Sequence, residues 1–296
     1  MAGQTPDSAA TSPARPRESP LALGVRRILR KPSSRVAIFA LGVILLVGLL
    51  APLIAPYDPA AQPDIVALKD LPPSLAHPFG TDPYSRDVLS RVIYGARLSL
   101  TIGILATIVS LTLGVAYGAI AGYAGGFADA FMMRLLDAFL SIPRLLLLLG
   151  VLVAWPHLSI GALVIFLGLT GWFGLSRIVR GQVLALKHAE FVTAAQALGA
   201  SRSRILVRHL LPNLVSPIVV SATLGVAHVI VLEAGLSYLG IGVPQPLASW
   251  GNIIQDGTDQ VAALWWMSFF PGLFMVLTVM TLNILGEALR DAYERR

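Results

Sequence analysis

The sequence contains no cysteine, which excludes a disulfide framework, a thiolate nucleophile, an iron–sulfur cluster and a zinc site with cysteine ligands. Charged residues are also scarce, because they make up 13% of the 296 residues, whereas a soluble domain carries about 25%. Hydrophobic residues account for 55% of the chain. So few charges cannot keep a domain of this size solvated, and the composition therefore indicates a membrane protein.

The sequence motifs of ATP hydrolysis and of common hydrolases are missing as well. The chain has only the lysines Lys31, Lys69 and Lys187, and none follows a glycine, so there is no phosphate-binding loop of the form G-x-x-x-x-G-K-[ST]. No H-E-x-x-H or G-x-S-x-G motif occurs, and the five histidines are dispersed. We therefore expect no enzymatic activity and no cofactor or metal bound by this chain.

Five long stretches carry no charged residue, at 36–56, 98–126, 145–176, 210–232 and 263–286. A helix needs about 20 apolar residues to cross a bilayer core of about 30 Å. The stretch 145–176 is too long for one crossing and is divided at Pro156-His157. Its first half belongs to a span that begins near Phe131 and passes through Pro143. The sequence thus predicts an all-α polytopic membrane protein with six transmembrane helices.

The distribution of arginine and lysine predicts the orientation of these spans. Seven basic residues precede the first span, six lie in the linker between the fourth and fifth, and three follow the last, whereas 240–261 has none. Cytoplasmic loops carry the excess of basic residues, so we expect both termini and the linker in the cytoplasm. The segment 57–97 then lies outside, where five aspartates offset its four basic residues. The net charge of +6 reflects topology and not nucleic-acid binding.

The segment 76–96 has the pattern of an external amphipathic helix. Pro83 suggests a helix start, and apolar residues including Val88 and Val92 recur at helical spacing with charged residues around them. Such a helix lies at the membrane interface. We expect it to brace the helix bundle rather than contact substrate.

Glycines and ionisable residues at membrane depth are candidates for packing and for function. Gly114, Gly118 and Gly122 lie on one helical face and allow close approach of a helix from this chain or from a second subunit. Glu233 lies near the outer boundary of the fifth span, either as a pore or gate element or as an interfacial anchor, and His228 lies deeper, as a core residue or part of the pore.

Two further ionisable residues fall in the third span. Asp137 and Arg144 are seven residues apart and therefore share a helical face. We expect a structural pair, or side chains that reach the cytoplasmic interface. A proton relay would require several more acids or histidines.

The linker between the fourth and fifth spans reads HAEFVTAAQALGASRSRILVRHLLPN. We predict a helix through Ala194 and Ala195 that ends at Gly199 in a left-handed cap, and a second helix after Ser201 as the N-cap. Pro212 suits the first turn of the fifth span. Ala194, Ala195 and Gly199 are small and close together, which favours close docking of this loop against a partner surface.

This linker resembles the EAA loop of ATP-binding-cassette importer permeases, in which E-A-A, three residues, G, nine residues and I-x-L-P follow one another. Ala194, Ala195, Gly199, Leu211 and Pro212 match that spacing. Two positions differ, because Thr193 replaces the glutamate and His209 the isoleucine. The variant is similar to that of the dipeptide, oligopeptide and nickel branch.

Two other segments resemble the C-type permease subunit of the same branch. They are HPFGTDPYSRDVLSRVIYGARLSLTIG, in which Ser85 replaces a usual glycine, and LEAGLSYLGIGVPQPLASWGNII with the helix that follows it. The resemblance implies a type I ABC importer permease fold. The composition of residues 1–20, rich in Pro, Ser, Ala, Thr and Gly, predicts a disordered cytoplasmic tail. The other expected regions are an N-terminal region with the first span (21–75), the external segment (76–96), the permease domain (97–287, with the coupling loop at 183–212) and a cytoplasmic tail (288–296).

The resemblance also implies how the chain works. The residues that couple to an ATPase are Thr193, Ala194, Ala195, Ala197, Leu198, Gly199, Ala200 and Ser201, with His209, Leu211 and Pro212 at the loop end. Partners are a second homologous permease, two ATPase subunits that bind ATP and Mg²⁺, and an extracytoplasmic binding protein, in a bacterial inner membrane. Peptides are the expected cargo, with nickel or another small solute as the alternative. A secondary transporter or channel working alone, and a scaffold or receptor, are the other classes.

Overall fold

The computed structural model describes residues 28–155 and 159–294. The predictions for the tail at 1–20, for the turn at Pro156-His157 and for the basic residues Arg295 and Arg296 concern positions outside these ranges.

The described residues fold into helices joined by turns, without a β-strand, and one isolated bridge pairs Thr81 with Asp87. The helices are α1 Pro32–Leu49, α2 Ala51–Ile54, α3 Val88–Ala124, α4 Gly126–Leu140, α5 Arg144–Ala154, α6 Ile160–Leu169, α7 Phe173–Leu186, α8 Glu190–Ala197, α9 Arg202–Ile205, α10 Val215–Tyr238, α11 Trp250–Asp256 and α12 Trp265–Glu294. A π-helical turn (Leu206–Leu210) and a 3₁₀ turn (Leu211–Leu214) connect α9 to α10. The predicted all-α fold class is confirmed for these residues.

Four helical segments in the described ranges are long and apolar enough to cross a membrane. They are α1, α3, the continuous run Arg202–Tyr238 that contains α10, and Trp265–Ala292 of α12. Two further pairs qualify only together, because α4 and α5 are bent by 72° and α6 and α7 by 43°. The described residues therefore hold four spans, or six when each bent pair counts as one, and six is the number predicted from the sequence.

The predicted amphipathic helix after Pro83 is wrong in its start and in its surroundings. After Pro83 the chain turns, with Ser85 at a φ of 63°, and the first helical residue is Val88. The carboxylate of Asp87 caps this helix by accepting a hydrogen bond from Ser90 N at 2.7 Å. From there α3 runs without a break to Ala124, and the side chain of Arg91 is buried rather than solvated.

The glycine face of α3 packs against α7 of the same chain. A Cβ atom at Gly118 would lie 2.3 Å from the carbonyl oxygen of Ser176, and one at Gly122 would lie 2.9 Å from that of Arg180. A Cβ atom at Gly114 would likewise lie 3.0 Å from the carbonyl oxygen of Trp172. Only glycine permits this separation of the two backbones, so the close neighbour of this face is α7 rather than a second subunit.

Three apolar clusters form the core along α3 and α10. The first lies near the segment 57–87, which is non-helical chain between α2 and α3, and includes Val92, Ile230 and Trp250. The second, in the middle, includes Ile102, Leu148 and Leu167. The third includes Ala119, Val179, Val183, Val192, Ala195, Ile205, Leu210 and Leu214, and it joins α3 and α7 to the linker helices. The linker is therefore packed onto the bundle.

Candidate coupling site

The linker forms a tight helix–turn–helix at α8 and α9. Helix α8 ends in a left-handed glycine, because Gly199 has a φ of 77°. Its amide donates to Gln196 O at 2.9 Å, and the amide of Ala200 donates to Ala195 O at 3.0 Å. This pair of hydrogen bonds is the Schellman arrangement, and it confirms the glycine turn predicted from the sequence.

The second helix begins as predicted and then differs from the prediction at Pro212. The hydroxyl of Ser201 caps α9 by accepting from Arg204 N at 3.4 Å. Pro212 does not start the following span, because the helical run continues through it from Arg202 to Tyr238. Proline lacks an amide hydrogen, and the ladder around it changes to a π turn and then a 3₁₀ turn. The carbonyl of His209 instead accepts from Asn213 Nδ2 at 2.7 Å.

The turn presents an apolar tip and buries the opposite face of α8. Leu198 is 89% exposed and Phe191 is 41% exposed, whereas Val192 is fully buried. The residues of the expected coupling set that also lie on the surface are Thr193, Ala194, Ala197, Gly199 and Ser201, while Ala200 is half-buried. At the loop end, His209 and Leu211 are half-buried and Pro212 is exposed. The turn therefore exposes the large apolar side chain of Leu198, with Phe191 partly exposed at the start of α8.

The expected role of Ala195 as a docking residue needs correction. Its side chain is 8% exposed and belongs to the cluster formed with Val179 and Val183 of α7. Val192 and Ala195 are three residues apart, so they share the inner face of α8. The small size of Ala195 serves packing within this chain.

An ion pair fixes the helices at the base of the loop. Arg180 of α7 donates through Nη2 to Asp129 Oδ2 of α4 at 2.6 Å, and its Nε also contacts Asp129 Oδ1. A bidentate arginine–carboxylate pair holds both groups in one orientation. The loop thus rises from helices that are linked to each other by packing and by charge.

Comparison with known proteins identifies the family. The model of the binding-protein-dependent transport system inner membrane component matches residues 114–296, which is more than half of the chain. The chain belongs to this family. The model of the N-terminal TM domain of oligopeptide transport permease C also matches, at residues 19–73.

Curated relatives are similar in sequence to this permease over most of its length. It is 42% identical over 277 residues to the oligopeptide transport system permease protein OppC of Bacillus subtilis (strain 168), which covers 93% of this chain and 90% of that protein. It is 38% identical over 270 residues to the dipeptide transport system permease protein DppC of the same strain, with 91% and 83% covered. Proteins of this family are multi-pass membrane transport subunits and not enzymes.

Glu233 of the permease lies inside the protein rather than on an open surface. It is fully buried, and its two carboxylate oxygens accept from Ser99 Oγ of α3 at 3.1 Å and from Ser237 Oγ at 2.6 Å. These contacts favour a packing role over the predicted role as a pore or gate element or an interfacial anchor. His228, by contrast, is exposed and lines a cavity. This position is compatible with the predicted role of His228 in the pore.

The expected pair of Asp137 and Arg144 does not form in the permease. The helix breaks between α4 and α5, so the two residues no longer share a face. Asp137 pairs instead with Arg177 of α7, and both of these side chains are exposed. Arg144 donates to Leu167 O at 2.8 Å and to Thr170 Oγ1 at 3.2 Å.

Sequence reasoning missed a buried cluster of charges beside the segment 57–87. Asp82 contacts Arg86 and Arg91, and Asp256 of α11 contacts both arginines, at 2.8 and 3.0 Å. Gln245 accepts a further hydrogen bond from Arg86 Nη1 at 2.7 Å. Asp256 is more than 150 residues away in the sequence, so no local pattern indicates this contact. The sequence offered one indication of this cluster, since acidic residues such as Asp82 and Asp256 are rare in so apolar a chain.

Proposed function

We propose that this permease forms one half of the translocation pathway of an ATP-driven importer of di- or oligopeptides, and that the loop 183–212 couples it to cytosolic ATPases. The relatives described above are named as oligopeptide and dipeptide permeases, which supports peptides as cargo. The exposed apolar side chain of Leu198, at a turn closed by two backbone hydrogen bonds, supports a protein contact at the tip.

The observation that carries the coupling proposal is the shared core behind this tip. Val192 of α8 packs in one cluster with Val183 of α7 and with Leu214, which leads into α10. Because packed cores transmit displacement rather than absorb it, a partner that holds Leu198 and moves also moves α7 and α10. When ATP closes the ATPase pair, its differential contact with the loop would favour one state of the pore over the other.

The proposed assembly contains this permease, a second homologous permease, two ATPase subunits and an extracytoplasmic binding protein. ATP and Mg²⁺ bind to the ATPase subunits. The chain lies in a bacterial inner membrane with both termini and the loop in the cytoplasm and the segment 57–87 outside, as the distribution of basic residues indicates. The proposed permease domain spans 97–287, after an N-terminal region at 21–75 and the external segment at 76–96, and a tail follows at 288–296.

Substitution at the tip tests the coupling contact. Leu198→Asp places a charge in the proposed contact, and Leu75→Asp is the matched control because Leu75 is also a fully exposed leucine, on the segment 57–87. We expect Leu198→Asp to lose the ATPase subunits during purification and Leu75→Asp to retain them. Retention by both variants at the wild-type level would contradict the proposed contact.

Chemical labelling tests the orientation, since a chain without cysteine accepts single cysteines as unique probes. In intact cells, a membrane-impermeant maleimide should label Leu75→Cys. It should label Leu198→Cys only after the membrane is opened. The reverse pattern would place the loop outside and exclude coupling to cytosolic ATPases.

Uptake by the assembled transporter tests the cargo. We expect ATP-dependent uptake of labelled di- and tripeptides when the second permease, the ATPases and the binding protein are present. Uptake of nickel without uptake of peptides would favour the nickel alternative of the same architecture.

A further inference from the structure

Two cavities border Arg144, which lies at the bend between α4 and α5. One has a volume of about 220 Å³ and includes Pro143, Arg144 and Thr170 in its lining. The other, of about 70 Å³, is lined by Arg144 together with residues of α3 and α10, including Ser110 and His228. The same arginine therefore borders both spaces.

The guanidinium of Arg144 is only partly used by the protein. Its Nη2 donates to Leu167 O at 2.8 Å and its Nε to Thr170 Oγ1 at 3.2 Å. Leu167 lies in the last turn of α6, where a cation is favourable. Among the residues that the structure describes, Nη1 has no hydrogen-bond partner, and the group has no carboxylate partner.

The lining of the two cavities is positive and neutral. Neither includes an aspartate or a glutamate, and the smaller one adds the hydroxyl residues Thr107, Ser110 and Ser221 to Arg144 and His228. Room for the guanidinium comes from Gly171, because a Cβ atom there would lie 3.0 Å from Arg144 Nη2 and 2.4 Å from Ser110 Oγ.

The position of this arginine along the helices places it at membrane depth. Arg144 lies at the bend between α4 and α5, and His228 lies near the middle of α10. A charged residue at such a depth is costly and is therefore a candidate for a functional role. Capping α6 explains two of its donors, but it leaves Nη1 directed at neither backbone nor carboxylate in the described residues.

We propose that Arg144 binds the C-terminal carboxylate of a peptide during its passage through the permease. A guanidinium holds a carboxylate by two parallel hydrogen bonds, which an amide cannot reproduce. Every free peptide has this carboxylate whatever its side chains, so the contact suits cargo of varied sequence. The inference rests on the proposed function as a peptide permease.

The test compares trialanine with its C-terminal amide in proteoliposomes that contain the complete transporter. Uptake of each labelled peptide is divided by the measured occupancy of the binding protein, so that selectivity of that protein does not enter. We expect the wild type to transport the carboxylate faster, and Arg144→Gln to reduce the carboxylate-to-amide ratio about tenfold. Arg144→Lys, which keeps the charge but not the planar fork, should give an intermediate ratio.

Arg134→Gln is the matched control, because Arg134 is an exposed arginine of α4 that lines neither cavity. It should keep the wild-type ratio. A wild-type ratio of one, or equal loss of uptake for both peptides in Arg144→Gln, would overturn the proposal and leave Arg144 as a cap of α6. Uptake of neither peptide by the wild type would instead reject peptide transport, and this inference with it.

Discussion

Arg91 Nη1 lies 2.6 Å from Asp82 Oδ2, and both side chains are fully buried. The same carboxylate contacts Arg86, and Asp256 of α11 closes the group from the other side. These four charges join the segment before α3 to the start of α3 and to α11. A buried charge that loses its partner is strongly destabilising, so the cluster should fix this end of the permease.

Asp82→Asn should therefore lower the stability of the purified permease by about 3–5 kcal/mol, because it leaves Arg86 and Arg91 with one acid between them. Thermal unfolding in detergent measures the change. Lys69→Gln is the control, since the half-exposed Lys69 lies 3.9 Å from Asp70, and so long a pair should contribute about 0–1 kcal/mol. If the two substitutions lowered the stability equally, the buried cluster would contribute no more to the free energy of unfolding than the Lys69–Asp70 pair.

Gly118→Ala should disrupt the packing of α3 on α7. The added Cβ would meet the carbonyl oxygen of Ser176 at 2.3 Å, and a backbone atom cannot move away as a side chain can. We expect a loss of about 1–3 kcal/mol, visible as a lower melting temperature and less monodisperse protein on gel filtration. Gly42→Ala has nothing within 4 Å of the new atom and should be neutral or slightly stabilising. Wild-type behaviour of Gly118→Ala would refute the close contact.

Gly199→Val should abolish coupling while the permease still inserts into the membrane. A new Cβ meets nothing within 4 Å there, so the effect arises from the φ of 77°, which a β-branched residue tolerates poorly. Gly199→Asn is the matched variant, since asparagine adopts this conformation more readily, and it should keep most of the transport. Wild-type uptake by Gly199→Val at a normal protein level would contradict the role of the turn. Ala195→Asp should also fail, by placing a charge in the buried face of α8.

Two substitutions of Glu233 distinguish a role of this residue in packing from a role in gating. Glu233→Gln keeps one acceptor oxygen for a serine hydroxyl, and its amide group can donate to the other hydroxyl, so transport should continue near the wild-type rate. Glu233→Leu leaves both hydroxyls without this acceptor and should lower stability by about 1–3 kcal/mol. Parallel uptake and thermal unfolding measurements distinguish the two. If Glu233→Gln folds normally but does not transport, the carboxylate itself acts in the gate.

The features predicted correctly from the sequence are those with local causes. Gly199 and Ser201 determine the turn through their own backbone and side-chain preferences, and the structure has the same cap and restart. Apolar stretches similarly predict spans, because the length needed to cross a membrane is set by the bilayer. The inward position of Ala195 follows from its spacing to Val192, and that periodicity was a usable signal.

The features that could not be predicted depend on contacts between distant segments. Pro143 alone does not give a bend of 72° between α4 and α5, and this bend separates Asp137 from Arg144. The burial of Arg91 depends on Asp256, which α11 brings to it from far along the chain. When the partners of charged residues are unknown, the sequence pattern places those residues on the solvent-exposed face of a helix. For this reason the start of α3 was predicted to be amphipathic.

ATP-dependent uptake of a labelled tripeptide into proteoliposomes decides whether this chain works as half of an ATP-driven permease. The permease is compared alone, under a proton gradient, and assembled with the second permease, the ATPases and the binding protein. We expect uptake only by the assembled transporter and only with hydrolysable ATP, and we expect Leu198→Asp to abolish it. Uptake by this chain alone under a proton gradient would contradict its function as a subunit of an ATP-driven importer.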